Sequence, residues 1–340
     1  MTINNIHFVG SIGLEDAETV FRTLAEIIGN KAARYPDGET GKRHYWVQWQ
    51  GEVFQNHPAF EYVTDREKQT DTANQTRLYR LKDPGASSEL EFEPLSYATE
   101  AITSYQLFTS LKNDGVIPPS TRFQVSLPTP IAVIMAFVIP EHRSLVELAY
   151  TKAMRNEQNT ILENIPAHEL AIQWDIAQEL VAYEGNFSFP YDDILTGTCK
   201  RVASLVENIP DAVAIGIHLC YGDPGHKHII EPEDLGNCVK FANAIQTQSA
   251  RHINYFHMPV LRERKDEAYF SPLKTLQIDD AELALGLVHY TDGVDGTLER
   301  IKAANKVVTE YSIASECGFG RREPETILDL LKIHRKIVES

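Results

Sequence analysis

His218, Leu219 and Cys220 close an apolar run that begins near residue 212, and Cys317 stands far downstream within Ser315-Glu316-Cys317-Gly318. Residues two apart on a strand point to the same face, so an imidazole and a thiol would project together. Thiolate and imidazole donors in one set are what zinc selects. The chemistry these residue types support is zinc-assisted reaction of a thiol, because a thiolate-ligated centre is electron-rich and keeps a substrate thiol both deprotonated and nucleophilic. Two plainer alternatives stand beside it: a packed His and Cys pair in an apolar strand, or a disulfide between Cys220 and Cys317.

Other polar residues also end apolar runs. Asp175 closes one at 170–174, where a carboxylate is costly unless it is paired, functional or capping a helix. Ser11, between Gly10 and Gly13, suits a tight turn with backbone amides free for a carboxylate, or the N-cap of a helix starting near Leu14. His257 and His289 each finish a run, and Glu39 sits in a polar turn, Asp37-Gly38-Glu39. Arg321 and Arg322 fall where the last helix should begin, a poor place for cations on dipole grounds, so an anionic substrate is the expected partner. Cys199 and Cys238 lie in amphipathic stretches and read as small core hydrophobes.

Something must hold these residues at the ends of strands. Short β-rich runs occur at residues 6–9, 33–35, 123–127, 170–174, 213–217, 253–257, 283–289 and 311–314. Amphipathic stretches alternate with them at 15–28, 145–165, 193–206, 232–245, 296–308 and 324–338. Repeated βα units imply a parallel sheet, and eight of them a (β/α)8 TIM barrel with functional groups at the C-terminal strand ends. The segment 41–118 does not fit one βα unit. Its strand-like runs at 76–81 and 90–92, the turn at Asp83-Pro84-Gly85 and a helical pattern at 97–111 predict an insertion between the second and third barrel strands. It would wall one side of the barrel mouth, within a single catalytic domain spanning 1–340.

The 340 residues are 43% hydrophobic and 24% charged, as in ordinary globular chains. A formal net charge of −16 excludes a phosphate-backbone partner, because nucleic-acid binding needs clustered Lys and Arg. No stretch approaches the ~20 apolar residues of a membrane helix. Residues 1–5 carry neither a basic region nor a long apolar core, so a cytoplasmic protein is expected. Four cysteines in so long a chain make no disulfide scaffold. P-loop, G-x-G-x-x-G, H-E-x-x-H and G-x-S-x-G motifs are missing.

Taken in order, five pieces of the sequence resemble the catalytic C-terminal barrel of cobalamin-independent methionine synthases and their shorter relatives, in the superfamily that also holds uroporphyrinogen decarboxylase. They are Val9-Gly10-Ser11, Pro36-Asp37-Gly38-Glu39, Ile172-Gln173-Trp174-Asp175, Ile217-His218-Leu219-Cys220-Tyr221 and Cys317-Gly318-Phe319-Gly320-Arg321. Segment 41–118 and the family's duplicated N-terminal half lie outside the likeness. The resemblance implies a Zn2+ ion held by His218, Cys220 and Cys317. The family's fourth ligand is a glutamate after the sixth strand. Here Asn254-Tyr255-Phe256-His257-Met258 places His257 in that position, with His226 and His228 as substitutes. It further implies that Asp175 meets a substrate amino group, although Ile176 and Ala177 replace the family's Glu-Pro. Glu39 lies near the substrate, and His289 falls in the loop of a proton donor.

The expected function is transfer of a methyl or other alkyl group to a small-molecule thiol, from a small alkyl donor or a corrinoid protein. A zinc barrel recruited to another carbon-sulfur or carbon-carbon bond reaction, and a metal-free decarboxylase or lyase, are the other readings.

Overall fold

The structure, a computed structural model, describes residues 5–63, 77–186, 188–223 and 228–340. The chain begins with α1 (Ala17–Ile27), β1 (Arg34–Pro36), α2 (Gly51–Asn56), β2 (Phe60–Tyr62), β3 (Tyr79–Leu81) and α3 (Tyr97–Asn113). It continues through β4 (Arg122–Pro128), α4 (Pro130–Phe137), α5 (Arg143–Asn164), β5 (Leu170–Ile176), α6 (Gln178–Tyr183), α7 (Ile194–Val206) and β6 (Ala214–Leu219). The remainder is α8 (Gly236–Gln248), β7 (Tyr255–Pro259), α9 (Glu267–Phe270), β8 (Glu282–Val288), α10 (Gly293–Ala304), β9 (Ser312–Ser315) and α11 (Pro324–Val338).

Seven strands make one parallel sheet in the order β1-β4-β5-β6-β7-β8-β9, and β2 and β3 form a separate antiparallel pair. Isolated parallel bridges join Ile6 to Ile313 and Ser11 to Gly38. Segment 6–12 thereby lies against β9 at one edge and just past β1 at the other, and the sheet curls on itself. Every residue of β5 and of β7 is buried, as expected of strands covered on both faces, which read as nearly continuous apolar runs.

The helices cover the outside. In α11 the buried residues Ile327, Leu330, Leu331, His334, Ile337 and Val338 recur at helical spacing and make one apolar stripe. Side-chain caps open several helices: Asp16 accepts from Thr19 N at 2.8 Å, Thr129 from Ala132 N at 3.3 Å and Asp193 from Thr196 N at 3.0 Å.

Two regions depart from the periodicity. Residues 90–92 are not a strand, because Pro84 and Gly85 run on into a 3-10 turn, Pro84–Glu89, and the partner of β3 is β2 instead. Helix α4 is buried at all eight positions, so it has no polar face and no amphipathic period to read.

Register decides the site. Asp175 pairs with His218 across β5 and β6, and His218 pairs with His257 across β6 and β7. Three adjacent strands thus present a carboxylate and two imidazoles in one row at their C-terminal ends. At the opposite end Arg34 donates to Glu282 at 2.7 Å, Ser312 Oγ donates to Glu282 at 2.5 Å, and the Arg34 guanidinium lies 4.0 Å from the Tyr255 ring centre.

Candidate metal centre and substrate cavity

A cavity of about 410 Å³ opens at the C-terminal strand ends. Ser11, Glu39, Asp175, His218, Cys220, Cys317 and Arg321 all line it. His218 and Cys220 come from the end of β6 and the residue after it, and Cys317 from the turn after β9. Sequence reasoning therefore located seven residues of one cavity from motifs scattered over the whole chain.

His218, Cys220 and Cys317 offer donor atoms that lie within 4.8 Å of one another, the one such group among the described residues. The sulfurs of Cys220 and Cys317 are 3.7 Å apart, and Cys317 Sγ is 3.9 Å from His218 Nε2. Both cysteines are free, which sets aside the disulfide. Donors bound to a tetrahedral zinc at about 2.3 Å for sulfur and 2.0–2.1 Å for nitrogen stand roughly 3.5–3.8 Å from each other. The sulfur–sulfur separation falls in that range, and the Cys317–His218 separation lies just above it. The Cys220 thiol beside it, and burial, push the Cys317 thiol well above its ordinary pKa, with Arg321 opposing. A metal taken up here would displace that proton.

His257 is not in the group of three. Its Nδ1 faces His218 Nδ1 at 2.7 Å and its Nε2 donates to the Ser315 carbonyl at 3.0 Å. It sits behind His218 because the two are register partners on adjacent strands. Burial pushes its pKa down to about 4, with the bond to Ser315 opposing, and burial together with the neighbouring imidazoles holds that of His218 well below its ordinary value. Of the substitute ligands, His226 lies outside the described residues. His228 stands 3.6 Å from Glu316 and outside the group of three.

His289 is also away from the cavity wall. Its Nε2 donates to the Val260 carbonyl at 2.9 Å and its Nδ1 lies 3.4 Å from Glu316. Glu316 sits between His289, His228 and Arg322; burial works against its charge, but the His289 bond and the surrounding cations hold its pKa below the usual range.

Glu39, in the turn after β1, and Asp175, near the end of β5, both face the cavity. Burial, then the charge of Asp175, pushes Glu39 up to about 8. Burial raises Asp175 to about 7 although Gln173 and Trp46 donate to it. Glu39 has φ 48°, an uncommon value for a residue with a side chain and one that collects at functional sites. Its carboxylate lies over Gly10, where a Cβ would come within 2.4 Å of Oε1. Asp37 anchors the turn by accepting from Arg43 Nη2 at 2.8 Å and from Ser104 Oγ at 2.7 Å.

Neither Asp175 nor Ser11 caps a helix: α6 starts after Ala177 and α1 is capped by Asp16. Ser11 instead stitches the two chain ends together, since its carbonyl accepts from Phe319 N at 2.8 Å and its Oγ from Gly320 N at 3.3 Å. A Cβ on Gly318 would approach Ser11 Oγ to 2.3 Å, so that crossing requires glycine. Arg321 lies in a turn before α11 rather than in its first residues, and donates to Asp223 O at 2.8 Å.

Several residues here were not singled out by the sequence. Gln173 donates at 2.6 Å to Val9 O and at 3.0 Å to Asp175 Oδ1, tying the first motif to the third. Asp223 orients Arg321, and Tyr45, Trp46 and Gln48 line the cavity from the start of segment 41–118. An aromatic pair in a polar stretch was the available signal for Tyr45 and Trp46.

No family model matches this chain, and no curated protein matches it in sequence. A solved structure does: a B12-independent methionine synthase from Shewanella sp. W3-18-1 in complex with selenomethionine, with TM-score 0.66 over 100% of this chain and 98% of that one, at 12% identity. The mixed α/β fold with its curled parallel sheet is shared with that enzyme. Among the described residues no helix is long and apolar enough to cross a membrane.

Proposed function

We propose that this chain is an enzyme that transfers a methyl or other alkyl group to a small-molecule thiol at a zinc centre held by His218, Cys220 and Cys317. The observation that carries the reading is the convergence of two free thiols and one imidazole, from the ends of β6 and β9, with donor atoms within 4.8 Å of one another on the wall of a substrate-sized cavity. The likeness in fold to a methionine synthase bound to selenomethionine supports it, since that ligand is a selenoether, the selenium counterpart of the alkylated thiol such a transfer would yield. Zinc in this site would supply a deprotonated yet nucleophilic substrate thiol near neutral pH.

The protein's own groups do the rest. Asp175 and Glu39 bind a cationic or amino group of the substrate, with Gln173 fixing Asp175 against the Val9 carbonyl. Arg321, held by Asp223, meets an anionic group, and the Ser11 turn closes that end of the cavity. Trp46 and Tyr45 exclude water from the mouth. His289 is not carried into this mechanism, because both its ring nitrogens are turned to Val260 and Glu316. Segment 6–12 acts as the eighth stave of a (β/α)8 barrel spanning 1–340, with 41–118 inserted and forming part of the wall. The donor is a small alkylated metabolite, an activated electrophile or a corrinoid protein. Two thiol ligands require a reducing compartment, which fits the cytoplasm.

The test is elemental analysis of the protein and of its Cys220→Ser variant, both purified under reducing conditions and checked for folding by circular dichroism. About one zinc per chain, lost in the variant, is the expected result. Absence of zinc from the folded protein after reconstitution overturns the reading and favours a metal-free lyase.

A further inference from the structure

We propose that His257 is a positioning residue that fixes the tautomer of His218 and leaves the metal with three protein ligands, its remaining coordination open to the cavity. The inference rests on the reading of His218, Cys220 and Cys317 as a metal site.

The argument follows the protons. A carbonyl oxygen only accepts, so the His257 Nε2 that lies 3.0 Å from Ser315 O carries a hydrogen. His257 is fully buried, its ring neighbours are His7 at 5.6 Å and His218 at 4.7 Å between centres, and no carboxylate contacts it among the described residues. A second proton would leave a buried charge without a counter-charge. Its Nδ1 is therefore a lone pair, and the nitrogen 2.7 Å away, His218 Nδ1, is the donor. His218 Nε2 is then the unprotonated atom, and it is the one 3.9 Å from Cys317 Sγ.

The same arrangement withholds His257 from the metal. Its only lone pair is taken by His218, and its other nitrogen is protonated at Ser315. A metal-bound histidine commonly has its far nitrogen tied to a carboxylate, carbonyl or water. Here a second imidazole relays a carbonyl to it. That carbonyl belongs to Ser315, whose hydroxyl also donates to Cys317 O at 2.7 Å. One residue at the end of β9 thus orients ligands from two strands. His218, Cys220 and Cys317 all line the cavity, so a thiol can reach the ion without displacing a protein side chain.

The experiment compares the zinc-loaded full-length protein with His257→Gln and His257→Phe, using zinc-edge X-ray absorption for the ligand shell and chelator competition for affinity. Glutamine can donate to Ser315 and accept from His218; phenylalanine can do neither. The expected wild-type shell has one imidazole and two sulfurs. It is retained in both variants, with affinity kept by His257→Gln and reduced roughly 10–100-fold by His257→Phe. Two imidazoles in the wild type, one of them lost in His257→Gln, would make His257 a ligand and overturn the proposal. Unchanged affinity in a folded His257→Phe also overturns it. If that variant does not fold, the wild-type shell and His257→Gln decide. No zinc in any of the three proteins is a different failure, that of the metal site itself.

Discussion

The two ends of the parallel sheet use polar residues in opposite ways. At the N-terminal end Arg34, Glu282 and Ser312 satisfy one another across strands, and the guanidinium also lies over Tyr255. At the C-terminal end two carboxylates, two thiols and an imidazole are turned into a cavity, where burial holds Glu39 and Asp175 partly protonated and the neighbouring Cys220, with burial, holds Cys317 as a thiol. One end spends its polar groups on cohesion. The other turns them towards a cavity, with Gln173 and Asp223 holding Asp175 and Arg321 in place, at the strand ends where barrel-type sheets gather functional groups.

That contrast can be broken from either side. The largest effect should follow Cys317→Ala, which removes one of three donors. Structural zinc sites are worth roughly 10–16 kcal/mol in all, so zinc affinity should drop by on the order of 100-fold or more. The thermal midpoint of the metal-free protein should stay near that of the wild type, because the side chain lies on a cavity wall and not in the core. A clear fall in the metal-free midpoint would show that this end is cohesive too.

The converse comes from Glu282→Gln. It leaves the Arg34 guanidinium, whose side chain is 9% exposed, without its counter-charge. Breaking a buried pair costs about 3–5 kcal/mol, and partial exposure of Glu282 places this case at the lower end. Denaturant titration should report that loss while zinc content stays at the wild-type level. Loss of zinc in the folded variant would join the two ends energetically.

A smaller, pH-dependent effect separates the cavity carboxylates. Glu39 binds its proton more tightly folded than unfolded, so it contributes stability below its ordinary pKa and loses that contribution as pH rises towards about 8. In the metal-free protein Glu39→Gln should therefore flatten the decline in stability between roughly pH 5 and 8. Parallel profiles for variant and wild type would mean that Glu39 is solvated and not held for a ligand.

Much of this was legible in the sequence, and particular residues show where it stopped. The spacing of His218 and Cys220 already put both on one strand face, and α11 begins and ends where its apolar period does. Helix α4 was hidden because burial on all sides erases periodicity, and the partner of β3 because pairing depends on a remote segment. His257 marks the limit for the site. The family resemblance put it at the fourth-ligand position, and the structure pairs it with His218 across β6 and β7, with its other nitrogen at the Ser315 carbonyl.

The sequence by itself determined which residues are chemically capable and which strand ends carry them, since residue type and period are local properties. Only the tertiary structure decided which of those residues meet. Whether a nitrogen faces a metal, a carbonyl or another ring depends on strand register and on hydrogen bonds between segments far apart in the chain. That is why Cys317 joins His218 and Cys220, while His257 and His289 turn to backbone carbonyls instead.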